Sequence, residues 1–187
     1  MRTARDGAHA LRDALREQGG TVAETLGDPP AADSRPLDHP GPAQVAATGP
    51  RTRGQEREYE LLLEMILEGY RLHYDQPLVV HTADVDFALL LGDQLYALGL
   101  SRLAALGDLD AVAELADVIS LAAQAHAASD RELAQAVWEA GAVCVGWGAS
   151  EAHADAKARA RAHDPGAVAA LRESACAVRI EPADPRL

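Results

Sequence analysis

The 187-residue sequence predicts an all-α protein, an antiparallel helical bundle preceded by a disordered N-terminal segment. Three observations carry that expectation. Residue usage comes first: 40 Ala and 24 Leu stand against 3 Ile, one Phe and no Asn, which favours helix and disfavours strand. Second, from Gln55 onward the apolar residues recur with a 3.6-residue period, the spacing of one helix face. Third, the periodic stretches are separated by short breaks at Pro77, Gly107, Ser129 and Gly166, and short connections join antiparallel neighbours. The length suits one domain.

Taken in order, Ala4 to Gln18 reads as a short helix with Leu11 and Leu15 on one side. An isolated helix of that length is marginal in water, so fraying or weak docking is expected. Residues 19–53 carry Pro29, Pro30, Pro36, Pro40, Pro42 and Pro50 among Gly, Ala, Asp and Thr. They offer too few large apolar groups to offset ordering entropy, and read as a linker. Residues 1–53 thus form the mostly disordered N-terminal segment and 54–149 the helical core.

The core opens with a helix whose stripe is Tyr59, Leu62, Leu63, Ile66, Tyr70 and Tyr74, with Glu60, Glu64, Glu68 and Arg71 on another face. Pro77 ends it, Leu78 to Val80 is extended, and Thr82 caps the next helix. That second helix, Ala83 to Leu106, is apolar nearly all round, so packing is expected to surround it at the centre of the domain. Gly92 and Gly99 share a face with Ala88 and let another helix approach closely. Gly107 closes it, and Asp108 or Asp110 starts a third helix bearing Val112, Leu115, Ile119, Ala122 and His126 on one face. Ser129 to Glu132 has the capping-box pattern of a fourth, with Leu133, Val137, Ala140, Cys144 and Trp147 inward. Residues 150–187 add C-terminal helices that pack on the core or on a partner. The first, Glu151 to Ala162, has only Ala to bury. The second, Ala167 to Arg179, docks through Val168, Leu171 and Val178.

The net charge of −12 falls wholly in the middle of the chain. Residues 54–149 hold four Arg against sixteen carboxylates, whereas 1–53 carry seven of each sign and 150–187 six of each. Such a surface argues against nucleic acid as a partner. No apolar run reaches the length of a membrane span, and the N-terminus has no apolar targeting core, so a soluble cytoplasmic protein is expected. Cys144 and Cys176 lie 32 residues apart without CxxC or Cys/His spacing, which signals neither a zinc site nor a disulfide framework. The Glu-x-x-His pairs of a ferritin-like di-iron bundle are missing, as is the context of a nucleophilic serine or a Gly-rich phosphate loop.

Leu63 to Gly69, the following Arg71 to His81, and the helix Phe87-Ala88-Leu89-Leu90-Leu91-Gly92-Asp93-Gln94 resemble the first aspartate-rich region and the Gly-Asp helix of trans-prenyl diphosphate synthases. The resemblance spans about residues 61–125, roughly a third of the chain. It implies part of the isoprenoid synthase fold and, in an intact member, carboxylates that hold Mg²⁺ against a diphosphate. Here only Glu64 and Glu68 stand at matching places, with Met65 between them. His73 and Tyr74 occupy the positions of the diphosphate-binding arginines, and Asp75 adds negative charge. An anionic substrate loses its grip.

Glu64, Glu68 and Asp93 are therefore the candidate ligand-binding residues, with no catalytic residue assigned. The bland reading makes Glu60, Glu64 and Glu68 a solvated row with Arg71 as a local partner. An acid within the apolar second helix, Asp93, needs a hydrogen bond or an ion pair, from Arg71, Arg102 or a backbone group. Asp110, Glu114 and Asp117 read as a surface flank. The expected function is a non-catalytic binding or assembly subunit without cofactor, a homo-oligomer or protein partner whose simplest interface is the helix centred on Gly92 and Gly99. Trp138 and Trp147 lie on opposite helix faces, so at least one needs cover from the tail or another subunit. The alternative is a partner of a prenyl synthase, or a Mg²⁺-assisted binder of an isoprenoid ligand in a groove between the first two core helices.

Overall fold

The computed structural model describes residues 2–28 and 37–180. Those residues are all-α, and no helix among them is long and apolar enough to cross a membrane. The chain divides into two compact units, Met1–Gln44 with Glu56–Gly107, and Val45–Gln55 with Asp108–Leu187. The division falls inside the stretch 54–149 that the sequence suggested as one core. It follows from packing, because the first two core helices bury their faces on each other and the next two do the same.

In the first unit, α1 (Ala4–Gln18) begins at a capping box: Thr3 Oγ1 accepts from the Asp6 amide and the Asp6 carboxylate accepts from the Thr3 amide, satisfying two end-of-helix donors. The amides of Ala4 and Arg5 donate to the carbonyls of His39 and Leu37. Ala8, Leu11 and Leu15 are fully or almost fully buried, so α1 is docked along its length rather than frayed. A one-turn α2 (Gly20–Ala23) follows. The chain then pairs with the extended segment after Pro77: Gly27 donates to the Val79 carbonyl and His81 to that of Thr25, both at 2.8 Å, around the bridge Leu26–Val80.

These contacts revise the expected linker. Residues 19–28 and 37–53 contain turns and helix, including α3 (Pro42–Ala47), with Val22, Leu37, Ala43, Ala46 and Ala47 buried. Small side chains achieve here by close approach what large ones achieve by area. The Pro29-Pro30 and Pro36 part of the linker reading lies outside the described residues, as do residues 181–187 of the C-terminal part.

α4 (Glu56–Tyr74) and α5 (Val85–Ala105) run antiparallel in direct contact. A Cβ on Gly69 would sit 2.8 Å from the Gly92 carbonyl oxygen, and one on Gly99 2.5 Å from Ile66 Cγ1, so the glycines bring the two helices to near-backbone contact. The cap of α5 is Asp84, which accepts from the Phe87 amide, and not the expected Thr82, whose Oγ1 accepts from the Asp84 amide two residues on. α5 is not surrounded, contrary to expectation. Leu91, Leu95 and Leu103 are buried on α4, but Val85 is 72%, Leu90 66% and Leu89 38% exposed. One neighbouring helix covers only one face.

The second unit is built on α6 (Leu109–Ala127) and α7 (Arg131–Trp147), antiparallel, with α8 (Glu151–Arg161), α9 (Ala167–Ile180) and the 3₁₀ turn Pro50–Thr52. Asp108 and Asp130 cap α6 and α7. The helix buried on most sides is α7, in which Ala140 through Gly146 are all buried. Gly49 packs on Gly146, and Thr52 Oγ1 donates to the carbonyls of Ala46 and Gly49. Trp138 is buried, and Trp147 is half-buried, with the Arg179 guanidinium of α9 5.4 Å from its ring centroid, a cation–π contact.

Candidate functional site

The three glutamates on α4 are not a solvated row. Glu60, Glu64 and Glu68 are each buried, because α1, α3 and the extended 78–80 segment cover that face and bring partners from far along the chain. Gln44 Nε2 donates to Glu60 Oε1 at 3.1 Å and to Glu64 Oε1 at 2.9 Å, and Arg2 Nε lies 2.7 Å from Glu60 Oε2. Gly7 makes room for this: a Cβ there would lie 2.3 Å from Gln44 Nε2. Arg71 Nη1 donates to Glu64 Oε2 at 3.3 Å and Glu68 Oε2 at 3.2 Å. Glu68 also accepts from the amides of Leu78 (2.9 Å), Val79 (2.7 Å) and Val80 (2.9 Å).

Glu68 thereby fixes the extended segment, whose amides have no other way to be satisfied in a buried place. Burial is the largest influence on Glu64 and holds its carboxyl above the ordinary range, against the pull of Arg71 and Gln44. Arg71 is desolvated too, yet the two acids keep it firmly charged. One guanidinium facing two carboxylates leaves one of them under-compensated, and Glu64 bears that cost.

Of the sequence-selected residues, the structure thus brings Glu64 and Glu68 together and leaves Asp93 apart. The Asp93 side chain is 71% exposed, with Oδ1 3.1 Å from His73 Nε2 but without hydrogen-bond alignment. It lies on the open face of α5 beside His73, so neither Arg71, Arg102 nor a backbone group is the partner it meets there. His73 instead stacks on Tyr96, ring centroids 5.4 Å apart. Glu64 and Glu68 do not fit a Mg²⁺ site, because a guanidinium and several N–H groups already aim at their oxygens. Glu60 lines the adjoining cavity of about 370 Å³, together with Arg2 and Arg57.

A second buried polar cluster lies in the second unit. α6 supplies Glu114 and Asp117, one turn apart; α7 supplies Cys144; α8 supplies His153 and Lys157, also one turn apart. Glu114 is buried, which corrects its reading as surface, whereas Asp110 is 95% exposed. His153 Nε2 is 2.8 Å from Glu114 Oε1, Lys157 Nζ donates to Glu114 Oε2 at 2.5 Å and Asp117 Oδ2 at 2.8 Å, and Arg161 Nη2 is 2.7 Å from Asp117 Oδ1.

Donor atoms of Glu114, Cys144 and His153 all lie within 4.8 Å of one another. A cavity of about 630 Å³ opens beside them, lined by Glu114, Asp117, Cys144, Lys157, Arg51 and Trp147. Burial, then the nearby Glu114 carboxylate, pushes the Cys144 thiol up to about 12. Sequence reasoning missed His153 and Lys157. The available signal was the pairing of Glu114/Asp117 at i,i+3 with His153/Lys157 at i,i+4, complementary faces on two helices.

Burial acts to raise the Glu114 carboxyl, but His153 and Lys157 outweigh it and hold it below the ordinary range, and Lys157 with Arg161 do the same for Asp117. With folded pKa values below unfolded ones, these acids add stability above the ordinary carboxylate range, lost as pH falls through their folded values. Acidification below about pH 4 is therefore expected to destabilise the wild type. In Glu114→Gln the loss on going from pH 5 to pH 3, followed by urea unfolding at each pH, should be smaller. An unchanged pH slope contradicts this assignment.

Compared with known proteins, the chain matches no family model, no curated protein and no solved structure.

Proposed function

We propose that this chain is a non-catalytic helical assembly module that pairs with a second copy of itself through the outer face of α5. The observation that carries this reading is the exposure of Val85, Leu89 and Leu90 on that helix, since clustered large apolar side chains left in solvent mark interaction sites; Asp86, Asp93 and Gln94 are exposed on the same helix and would rim the contact. A second copy is the occupant that fits. The large side chains Leu89 and Leu90 lie in the N-terminal half of the face and the small ones, Ala97, Ser101 and Ala104, in the C-terminal half. Antiparallel pairing about a two-fold axis sets each half against its complement and opposes the helix dipoles. The isoprenoid-linked alternatives have less support. The seam between α4 and α5 that would receive a prenyl chain is filled by the contacts at Gly69, Gly92 and Gly99, and Glu64 and Glu68 are engaged internally.

Light scattering on the purified chain is expected to give twice the monomer mass at micromolar concentration. Leu90→Glu should weaken self-association at least about a hundredfold, since both copies lose a buried leucine. A monomer mass for the wild type at every concentration, or a dimer indifferent to Leu90→Glu, refutes the reading.

A further inference from the structure

We propose that Glu114, Cys144 and His153 form a binding site for a zinc-class transition-metal ion, with its open side facing the 630 Å³ cavity. The proposal is independent of self-association through α5.

The donor chemistry selects the metal. A carboxylate oxygen, a thiolate and an imidazole nitrogen are a borderline-soft set suited to Zn²⁺ or Co²⁺, and unsuited to Mg²⁺ or Ca²⁺, which take oxygen ligands. Three protein ligands with a fourth place left for water or a bound molecule is the arrangement of reactive zinc sites, as opposed to closed structural ones.

The geometry is close to what such an ion needs. Metal–ligand bonds of about 2.0–2.3 Å put tetrahedral donors roughly 3.3–3.8 Å apart. Here all three donor atoms lie within 4.8 Å, with His153 Nε2 and Glu114 Oε1 at 2.8 Å. A metal inserted into that hydrogen bond separates the two atoms by less than about 1 Å, a shift that the side-chain torsions of Glu and His accommodate. The three ligands come from three helices, α6, α7 and α8, so the site is held by the packing of the second unit. Gly141, one turn before Cys144, lets α6 and α7 approach closely beside these ligands: a Cβ there would lie 2.3 Å from Val118 Cγ2.

Lys157 completes the arrangement. Its ammonium holds Glu114 Oε2 at 2.5 Å and leaves Oε1 turned to His153, the kind of outer hydrogen bond that orients a ligating carboxylate. On binding, the Cys144 S–H bond breaks heterolytically and its proton, with any proton on the His153 ring nitrogen, passes to solvent. The sulfur and nitrogen lone pairs then form the bonds to the metal, with no change of oxidation state. Glu114 and Cys144 both line the cavity, so the free coordination position faces the open space.

Cobalt(II) titration of the full-length chain in a Cys176→Ser background tests this, because Cys144 is then the remaining thiol. Cys176 is exposed, so that change leaves the core intact. One equivalent of Co²⁺ should bind with a thiolate-to-cobalt charge-transfer band in the near ultraviolet, displaced by Zn²⁺. His153→Gln should weaken binding at least about tenfold. No charge-transfer band at a modest excess of Co²⁺, or binding indifferent to His153→Gln, overturns the proposal. Should His153→Gln fail to fold, X-ray absorption at the zinc edge of the unsubstituted zinc-loaded protein decides. One sulfur with nitrogen and oxygen neighbours supports the site, and a shell without sulfur refutes it.

Discussion

Glu68→Ala is expected to lower the free energy of unfolding by about 3–5 kcal/mol, the range for breaking a buried ion pair from one side. The side chain is fully buried and accepts from three consecutive amides and from Arg71. Truncation strands the amides of Leu78, Val79 and Val80 and leaves a guanidinium short of one of its two acids, and each orphaned donor carries a desolvation penalty. Urea unfolding followed by circular dichroism gives the total. Hydrogen exchange gives the specific signature, with the amides at 78–80 losing protection first. Glu68→Gln keeps an acceptor oxygen and should recover part of the loss. If Glu68→Ala costs under about 1 kcal/mol, the carboxylate is not the anchor of that segment.

Gly49→Ala should cost about 3 kcal/mol, the upper end of the overpacking range, from the addition of a single methyl group. The backbone at Gly49 has φ −74, so conformation is not the obstacle. Space is: a Cβ there would fall 2.0 Å from the Gly146 carbonyl oxygen and 2.2 Å from its carbon. A side chain in the way can rotate aside, but a main chain inside α7 cannot move without disturbing the helix. Gly54→Ala is the control, since Gly54 has φ +86 and nothing within 4 Å of an added Cβ. It should cost about 1 kcal/mol for the left-handed backbone alone. Equal costs at the two positions, read from urea midpoints, discredit the steric account.

The long helices were legible because their evidence is local. Apolar spacing, Pro77, Gly107 and the Asp-Pro-Gly break place α4 through α9 within a few residues, and even the extended Leu78 to Val80 follows from composition. What the sequence conceals is anything set by partners distant along the chain. Glu60, Glu64 and Glu68 look solvated because nothing near them marks Arg2 or Gln44, 58 and 16 residues from Glu60, as their neighbours. Glu114, Cys144 and His153 show no ligand spacing because a bundle gathers them from three helices. Asp93 erred in the opposite direction: an apolar helix implies burial all round only if enough neighbours exist to cover it. Ala4 to Gln18 was legible as a helix, but α2 and α3 escaped notice since alanine and glycine pack by proximity, which hydrophobic periodicity does not register.

The segment 45–55 belongs to the second unit although its flanks belong to the first. Neither half can be excised with one cut. Genetic fusion or recombination at the Gly107–Asp108 junction would deliver a downstream fragment stripped of Gly49, Arg51 and Thr52, hence of the strap that closes over Gly146 and of the guanidinium that donates to the Val145 carbonyl. Heredity must transmit such an arrangement whole, and shuffling of its parts between genes is disfavoured by the threading itself.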